Sequence, residues 1–516
     1  MLTPSYLLHA VEPAEEIAEQ LHQDILNRII TRILNRQKRG DDYILTATDK
    51  WNMELLQEAG FLLEDIQKDI IAATKLMQSE LVEAVEDAGV RALEYDDKIY
   101  REAGFDPAPL VQSPRLIRIM QRDFEATLGE WENFTRTTAT ASQQTFIRAC
   151  DKAYHQSLTG AISQAQAIKE ALEEVINSGV YIRYPTGHTD TIETATTRAV
   201  RTGISQASAD IQNARMDDYD VDLVLVSSHF GARPEHAEWQ GKIYSRSGTS
   251  DKYPDFISST GYGTVTGLCG ANCRHNYGPW FEGMDNPFEE YDTEENRKAY
   301  ELQQRQRALE RRIRDTKRKT MNWKTAMDAE TDPVQKAIFE AEYQRKAALL
   351  QKQNATYKQF CEENDFKTRA DRISIAKWDR KQAAAARGAA KKYQNALEKQ
   401  ANFDKMVEEL HEKELIPKHC QVHIPPQEVF VKGLSFDDKH INQERHHNVS
   451  REMAELYIQQ SRISITLWRG QYERYYSTNG AAYVNWMTNS IRTAFSGLEF
   501  SDDTLALLEV LEKYGY

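Results

Sequence analysis

The sequence predicts a mainly α-helical protein with a small loop-rich α+β module in its middle and a small α+β unit at its C-terminal end. Three observations predict it. Apolar residues recur at helical spacing through the first 220 or so positions, the next stretch of about 60 residues gathers glycine, cysteine and histidine, and the last 85 or so alternate short β-rich runs with helical ones. The expected division is a helical region at 1–219, a glycine-rich module at 220–285, long charged helices or a coiled coil at 286–416, a linker at 417–429 and an α+β module at 430–516.

Leu21, Ile25, Leu26, Ile29, Ile30, Ile33 and Leu34 lie on one face of a helix expected to stop near Gly40. Trp51, Leu55, Leu62, Ile66, Ile70, Met77 and Leu81 mark a second helix, with Gly60 expected as a break and Gly89 as its end. Further helical patterns cover about 113–178 and 190–215. Core packing explains all of these stripes.

At 220 the composition changes. DVDLVLVSSH (220–229) reads as a short buried strand. Gly231, Gly241, Gly248, Gly261, Gly263, Gly267, Gly270, Gly278 and Gly283 then demand tight turns and irregular backbone. This stretch also brings His229, His236, His275, Cys269 and Cys273 together. Thiolate and imidazole are zinc ligands, and four suffice for a closed tetrahedral site, with His236, Cys269, Cys273 and His275 as the candidate set. The favoured alternative is a turn-rich module without metal, pinned by hydrogen bonds of its His and Arg side chains, because the Cys pair stands alone. No other cofactor is expected. Cys273 beside Arg274 and His275 is not expected to act as a nucleophile, since sequence neighbours rarely face each other in the needed geometry.

The strings G-A-R-P-x-H-x-x-W-Q-G-K-x-Y and G-L-C-G-x-N-C-R-H resemble the signature of phage minor capsid proteins of the MuF head-morphogenesis class. The matching positions are Arg233, His236, Gly241, Gly267, Asn272, Cys273, Arg274 and His275, and the helical part before them resembles the same family more loosely. The resemblance implies a structural virion protein in few copies, partnered with portal and capsid proteins and serving head assembly or DNA delivery. It also implies a place in the capsid interior or at the portal vertex, with assembly in the bacterial host cytoplasm. No catalytic residue carries over from it.

From 290 to 415 the chain is rich in Glu, Gln, Lys, Arg and Ala, as suits long helices turning near Asp332-Pro333. The run 297–319 holds Arg305, Arg307, Arg311, Arg312, Arg314, Lys317, Arg318 and Lys319. A solvated helix face is the expected reading; contact with packaged DNA or an acidic protein ring is the sharper alternative.

After Pro417, Pro425 and Pro426, Ser450 is placed to cap a helix and Ser501 to cap the last one, with strands in RISITLW, YERYYS, GAAYVNW and IRTAF. Histidines and arginines in this unit fit RNA cleavage, which needs a base, an acid and a cation near the phosphate. The unit resembles the toxin-like nuclease modules of the barnase, EndoU, colicin and RelE-like group. That resemblance implies a metal-independent RNase appended to the virion protein, with RNA as its partner. His440 would then be base or acid, Arg445 and Arg469 phosphate contacts, and Tyr475 a second proton donor or base stacker.

Composition bounds these readings. Of 516 residues 40 % are apolar and 28 % charged, and the net charge of −14 excludes coating nucleic acid by bulk attraction. Five widely spread cysteines are no disulfide framework, which fits synthesis in a reducing cytoplasm. The N-terminal stretch has no basic start and apolar run of a signal peptide, and no segment approaches the roughly 18 apolar residues of a membrane span, so no membrane partner is expected.

Overall fold

Serine, threonine and aspartate caps set where the long helices begin. In the computed structural model, which describes residues 1–37, 48–160, 162–184 and 186–516, α1 (Pro4–His9) and α2 (Glu12–Gln37) lead into α3 (Thr48–Glu102). Ser113 accepts from Leu116 N with Pro114 in the first turn, starting α4 (Pro114–Leu158); Ser163 does the same for α5 (Gln164–Ser178). A short antiparallel pair, β1 (Tyr181–Arg183) and β2 (Thr189–Thr191), precedes α6 (Ile192–Asp218), capped by Thr191.

Several boundaries differ from expectation. The predicted stop near Gly40 lies outside the described residues. Neither Gly60 nor Gly89 interrupts α3. A Cβ at Gly89 would stand 3.1 Å from Ile211 Cδ1 and 3.3 Å from Met120 Sδ, so this glycine lets α3 approach α6 and α4 closely. The pattern at 113–178 is two helices, parted near Gly160, whose φ is +65°.

The stripe of α2 is fully buried from Leu21 to Leu34 and shares one core with Trp51, Leu62, Met77, Trp131, Phe146, Leu172 and Ile204. After β3 (Leu223–Val226), α7 (Pro234–Ala237), β4 (Ile243–Ser245), α8 (Phe256–Thr260) and β5 (Tyr277–Pro279) come α9 (Thr293–Ala329) and α10 (Pro333–Glu363). Asp332 caps α10 with Pro333 in its first turn, so the chain turns where the Asp-Pro pair was expected to turn it. Trp323, Ala326, Phe339 and Ala347 place this helical pair in the same core as α2.

That packing divides the run 297–319, part of it facing the bundle and part of it solvated as expected. Arg297 pairs with Glu294 and Glu301 on its own helix, and Lys319 with Asp315. Arg314 reaches Glu15 on α2 at 2.5 Å, while Arg318 reaches Glu19 at 3.3 Å and the buried Glu193 on α6 at 2.6 Å. Lys317 donates to the carbonyl of Ile373. Arg305, Arg311 and Arg312 remain exposed. Sequence shows a charge run but not the acids that other helices bring to it.

The chain divides into two compact units, Met1–Lys391 and Lys392–Tyr516. Helix α11 (Arg380–Glu412) contributes its last residues to the second. There β6 (Gln421–His423), β7 (Ser435–Phe436), β8 (Ile463–Leu467), β9 (Tyr472–Tyr476), β10 (Gly480–Asn485) and β11 (Ser490–Ser496) form one sheet in the order β6-β8-β9-β10-β11-β7. Helices α12 (Arg451–Gln459) and α13 (Asp502–Lys513) start from Ser450 and Ser501. Adjacent strand residues face opposite ways, so Tyr476 joins Met406, Leu410 and Leu511 while Tyr475 joins Ile441, Tyr457 and Val484. The expected linker 417–429 is thus partly strand, because β6 pairs with β8 from Gln421↔Thr466 to His423↔Ser464. Its flanking prolines hid a three-residue strand.

Glu19 is 6 % exposed, and burial pushes its carboxyl up to about 7 against the pull of Arg318 and Arg314, with Glu193 and Glu15 adding to the rise. The folded state therefore binds the extra proton between about pH 4.5 and 7, so stability falls as pH rises through that window and is level above it. Glu19→Gln should be more stable than wild type at pH 8, by on the order of 2 kcal/mol, and indistinguishable near pH 4. Urea unfolding at the two pH values checks this; a variant weaker at pH 8 would refute it.

Candidate functional site

The glycine-rich module is built on a three-stranded antiparallel sheet in the order β4-β3-β5, with Leu225 opposite both Ile243 and Gly278. Its core is aromatic: Trp239, Tyr244, Phe256 and Tyr277 pack with Val224, Val226, Leu268, Cys269 and Cys273. The loop after α8 is folded so tightly that glycine is required within it. A Cβ at Gly267 would stand 2.0 Å from the Gly261 carbonyl oxygen, and one at Gly270 would stand 2.5 Å from that of Val265. Gly241 has φ +69° and donates its N–H to Val226 O at 3.1 Å, turning the chain from α7 into β4.

Two amide side chains hold this module on the helices. Gln212 of α6 donates to Tyr277 O and to Asp96 Oδ2 of α3, both at 2.7 Å. Asn296 of α9 accepts from Gly231 N at 2.8 Å and Ala232 N at 3.1 Å, and donates to Ala232 O at 3.0 Å. That clamp fixes the chain just before Arg233 and α7.

Helix α7 carries His236 inward, and the loop from Gly267 returns Cys273 and His275 to it; all three are buried. Cys273 Sγ lies 3.8 Å from His236 Nδ1 and 3.7 Å from His275 Nδ1. The far nitrogens are held by acceptors. His236 Nε2 meets Thr266 O at 2.9 Å, and His275 Nε2 meets Gln240 Oε1 at 3.0 Å. Gln240 Oε1 also accepts from the backbone N–H of His229, which identifies that atom as the oxygen. Both imidazoles therefore carry hydrogen on Nε2 and direct an Nδ1 lone pair at the thiol. Burial holds His236 and His275 below the ordinary histidine value, so they stay neutral, and raises the Cys273 thiol. His229 stacks on His275 with ring centroids 4.4 Å apart, and burial with Arg274 nearby lowers it to about 4. Trp239 stands over both His236 and His275 at 4.6 and 4.9 Å.

Of the four proposed metal ligands, the fold gathers three. Cys269, whose backbone is left-handed (φ +58°), lies outside the cluster, and its Sγ approaches His275 O at 3.9 Å within the aromatic core. The remaining motif residues surround the site. Arg233 donates to Ala271 O at 3.3 Å, and exposed Asn272 accepts from Arg201 of α6 at 3.3 Å. Burial lowers Arg274 to about 10, helped by the charges of Arg307, Arg201 and Arg372. Gln240 stood inside the motif string without being singled out, and Thr266 acts through its backbone. Asn296 carries no sequence signal at all, being one polar residue among many on a charged helix.

The C-terminal candidates are each held by different partners. His440 Nδ1 pairs with Glu444 Oε2 at 2.9 Å. Arg445 is exposed and Arg469 sits with φ +56° in the turn between β8 and β9. Tyr475 is 1 % exposed, its hydroxyl donates to Gln427 O at 3.0 Å, and burial drives its pKa far up. It is a core residue, not a proton donor or base stacker. Among the described contacts, only the backbone hydrogen bond from Arg445 N to His440 O joins any two of the four.

The sequence profile of a family described as "Phage minor capsid protein 2" matches residues 2–362 of this chain, and the match ends before the second unit. A "Structural protein" of Lactococcus phage LL-H is 24% identical over 367 residues, covering 68% of this chain and 95% of its own. A "Structural protein" of Lactococcus phage mv4 is 34% identical over 127 residues, covering 24% of this chain and 94% of its own. No solved structure matches the chain.

Asn296→Ala strands two buried backbone amides and a carbonyl. It should cost about 2–4 kcal/mol in unfolding free energy. Amide exchange at Gly231 and Ala232 should accelerate beyond the change at Tyr277, whose carbonyl is held separately by Gln212; equal acceleration at all three would show that the clamp has no local role.

Proposed function

The chain belongs to the phage minor capsid protein 2 family, and from that premise we propose that it is a structural component of the virion. In this reading it sits near the portal vertex in the capsid, is built in the host cytoplasm with the head, and assists head assembly or DNA delivery through contacts with portal and capsid proteins. The names of the two phage relatives support the virion role, since both are structural proteins.

One observation carries the assembly reading. Helix α3 leaves Met53, Leu56, Phe61, Ile71, Leu76, Val82 and Val90 exposed along its length while Leu55, Leu62, Ile66, Met77 and Leu81 fill the core. A single exposed leucine needs no explanation, but a helix that leaves seven apolar side chains exposed over its outer half offers surface that another protein can cover. Such a contact is driven by apolar burial and resists salt, whereas a phosphate contact weakens steeply as salt rises. Protein is the partner this surface favours; of the basic run, Arg314 and Arg318 already face acids of the same chain while Arg305, Arg311 and Arg312 stay exposed.

Two measurements test this. Mass spectrometry of purified virions should find the chain in the head fraction, and portal or capsid protein should co-purify with it in moderate salt. The pair Ile71→Glu and Leu76→Glu should leave the unfolding midpoint within about 2 °C, as surface changes do, yet abolish co-purification. Retention of the pair variant at wild-type level would remove α3 as the docking face; absence of the wild-type chain from virions would end the virion reading.

A further inference from the structure

We infer that His236, Cys273 and His275 form a binding site for one divalent metal ion of the zinc class, with Cys269 outside it. This goes beyond the virion role and does not depend on it. The geometry points to a metal in three steps.

The donor atoms converge. One ligand atom from each of the three residues lies within 4.8 Å of the others, and Cys273 Sγ stands 3.8 and 3.7 Å from His236 Nδ1 and His275 Nδ1. Bonds of about 2.3 Å to sulfur and about 2.0–2.1 Å to nitrogen at a tetrahedral angle put those atoms about 3.5 Å apart. The two sulfur–nitrogen separations are therefore within a few tenths of an ångström of those around a bound ion.

The hydrogen count also leaves a vacancy that a cation fills. Each Nδ1 presents a lone pair, because Thr266 O and Gln240 Oε1 fix the hydrogens on the opposite nitrogens. A thiol has one hydrogen and can serve only one of the two lone pairs. The other is left facing sulfur inside a buried aromatic cage, which is costly for a polar atom. A bound ion accepts all three lone pairs at once, and the Cys273 proton leaves to solvent as the thiolate forms.

The surroundings are also those of a metal site. Histidine ligands commonly donate their other N–H to a carbonyl or carboxylate, which fixes ring orientation, and both rings do so here. Soft sulfur with two imidazoles selects zinc or cobalt over magnesium or calcium. Three protein ligands leave the fourth tetrahedral position to water.

The test uses the full chain. Protein stripped with chelator and titrated with Co²⁺ should bind one equivalent and show a thiolate-to-cobalt charge-transfer band with tetrahedral d–d absorption; Zn²⁺ should displace both and raise the unfolding temperature. Cys273→Ser should lose the charge-transfer band, and Cys269→Ser should keep it. Gln240→Ala touches no metal yet should weaken affinity about 10- to 100-fold by freeing the His275 ring. Near-ultraviolet circular dichroism confirms that each variant is folded before it is read. Absence of stoichiometric cobalt binding by the wild-type chain overturns the proposal, as does a band that survives Cys273→Ser or vanishes with Cys269→Ser in folded protein.

Discussion

Two neutral side chains, Gln212 and Asn296, tie the backbone of the glycine-rich module to the helices, beside the apolar core it shares with Tyr100, Ala209 and Met216. Their value lies in the asymmetry of the hydrogen bond: made, each contributes about 1 kcal/mol, but lost in a buried place each leaves groups that nothing else can satisfy. Gln212 joins β5 to α3 and α6, and Asn296 joins the start of α7 to α9. Because both are fixed, His236 on α7 meets Cys273 and His275 on the returning loop within a few ångströms. The module's small sheet, three strands of three or four residues, could not impose that accuracy by itself.

The same helices that hold the module are joined by charge. Arg318 lies between Glu19 and Glu193, and Glu193 also meets His22 at 2.8 Å. The groups pull in different directions. Arg318 and His22 hold Glu193 far below the usual carboxylate range, while burial lifts Glu19 above it. Such networks add little net stability over apolar packing, but breaking one partner leaves a buried charge alone. They tie α9 to α2 and α6 in one register, and so settle which face of the basic run meets the bundle.

What could be read from the sequence followed from local rules. Caps at Ser450 and Ser501 and the turn at Asp332-Pro333 need only a side chain and the next turn, and the α2 stripe needs only a period. The motif residues were legible too, because glycines in sterically closed turns and inward histidines leave a local pattern. Failures came where a distant element decided the outcome. Gly89 is a contact point with α6 and α4, not a helix end. Cys269 and Cys273 are equivalent in sequence, yet the folded loop brings only Cys273 to both imidazoles. Tyr475 and Tyr476 are adjacent tyrosines on opposite sheet faces. Asn296 and the acids facing Arg314 and Arg318 are visible only once helices far apart in sequence lie side by side.

The division at Lys391 and Lys392 has a consequence for how such chains can change over generations. Every bond named above for the helical bundle and its clamped module is made by residues on the near side of that point. The last 125 or so residues carry their own sheet and their own cores on both of its faces. A change confined to the second unit leaves the clamps, the charge network and the histidine–cysteine cluster with all their partners, although α11 runs unbroken across the division. The structure thus keeps the contacts of the bundle and its module apart from the cores of the C-terminal sheet.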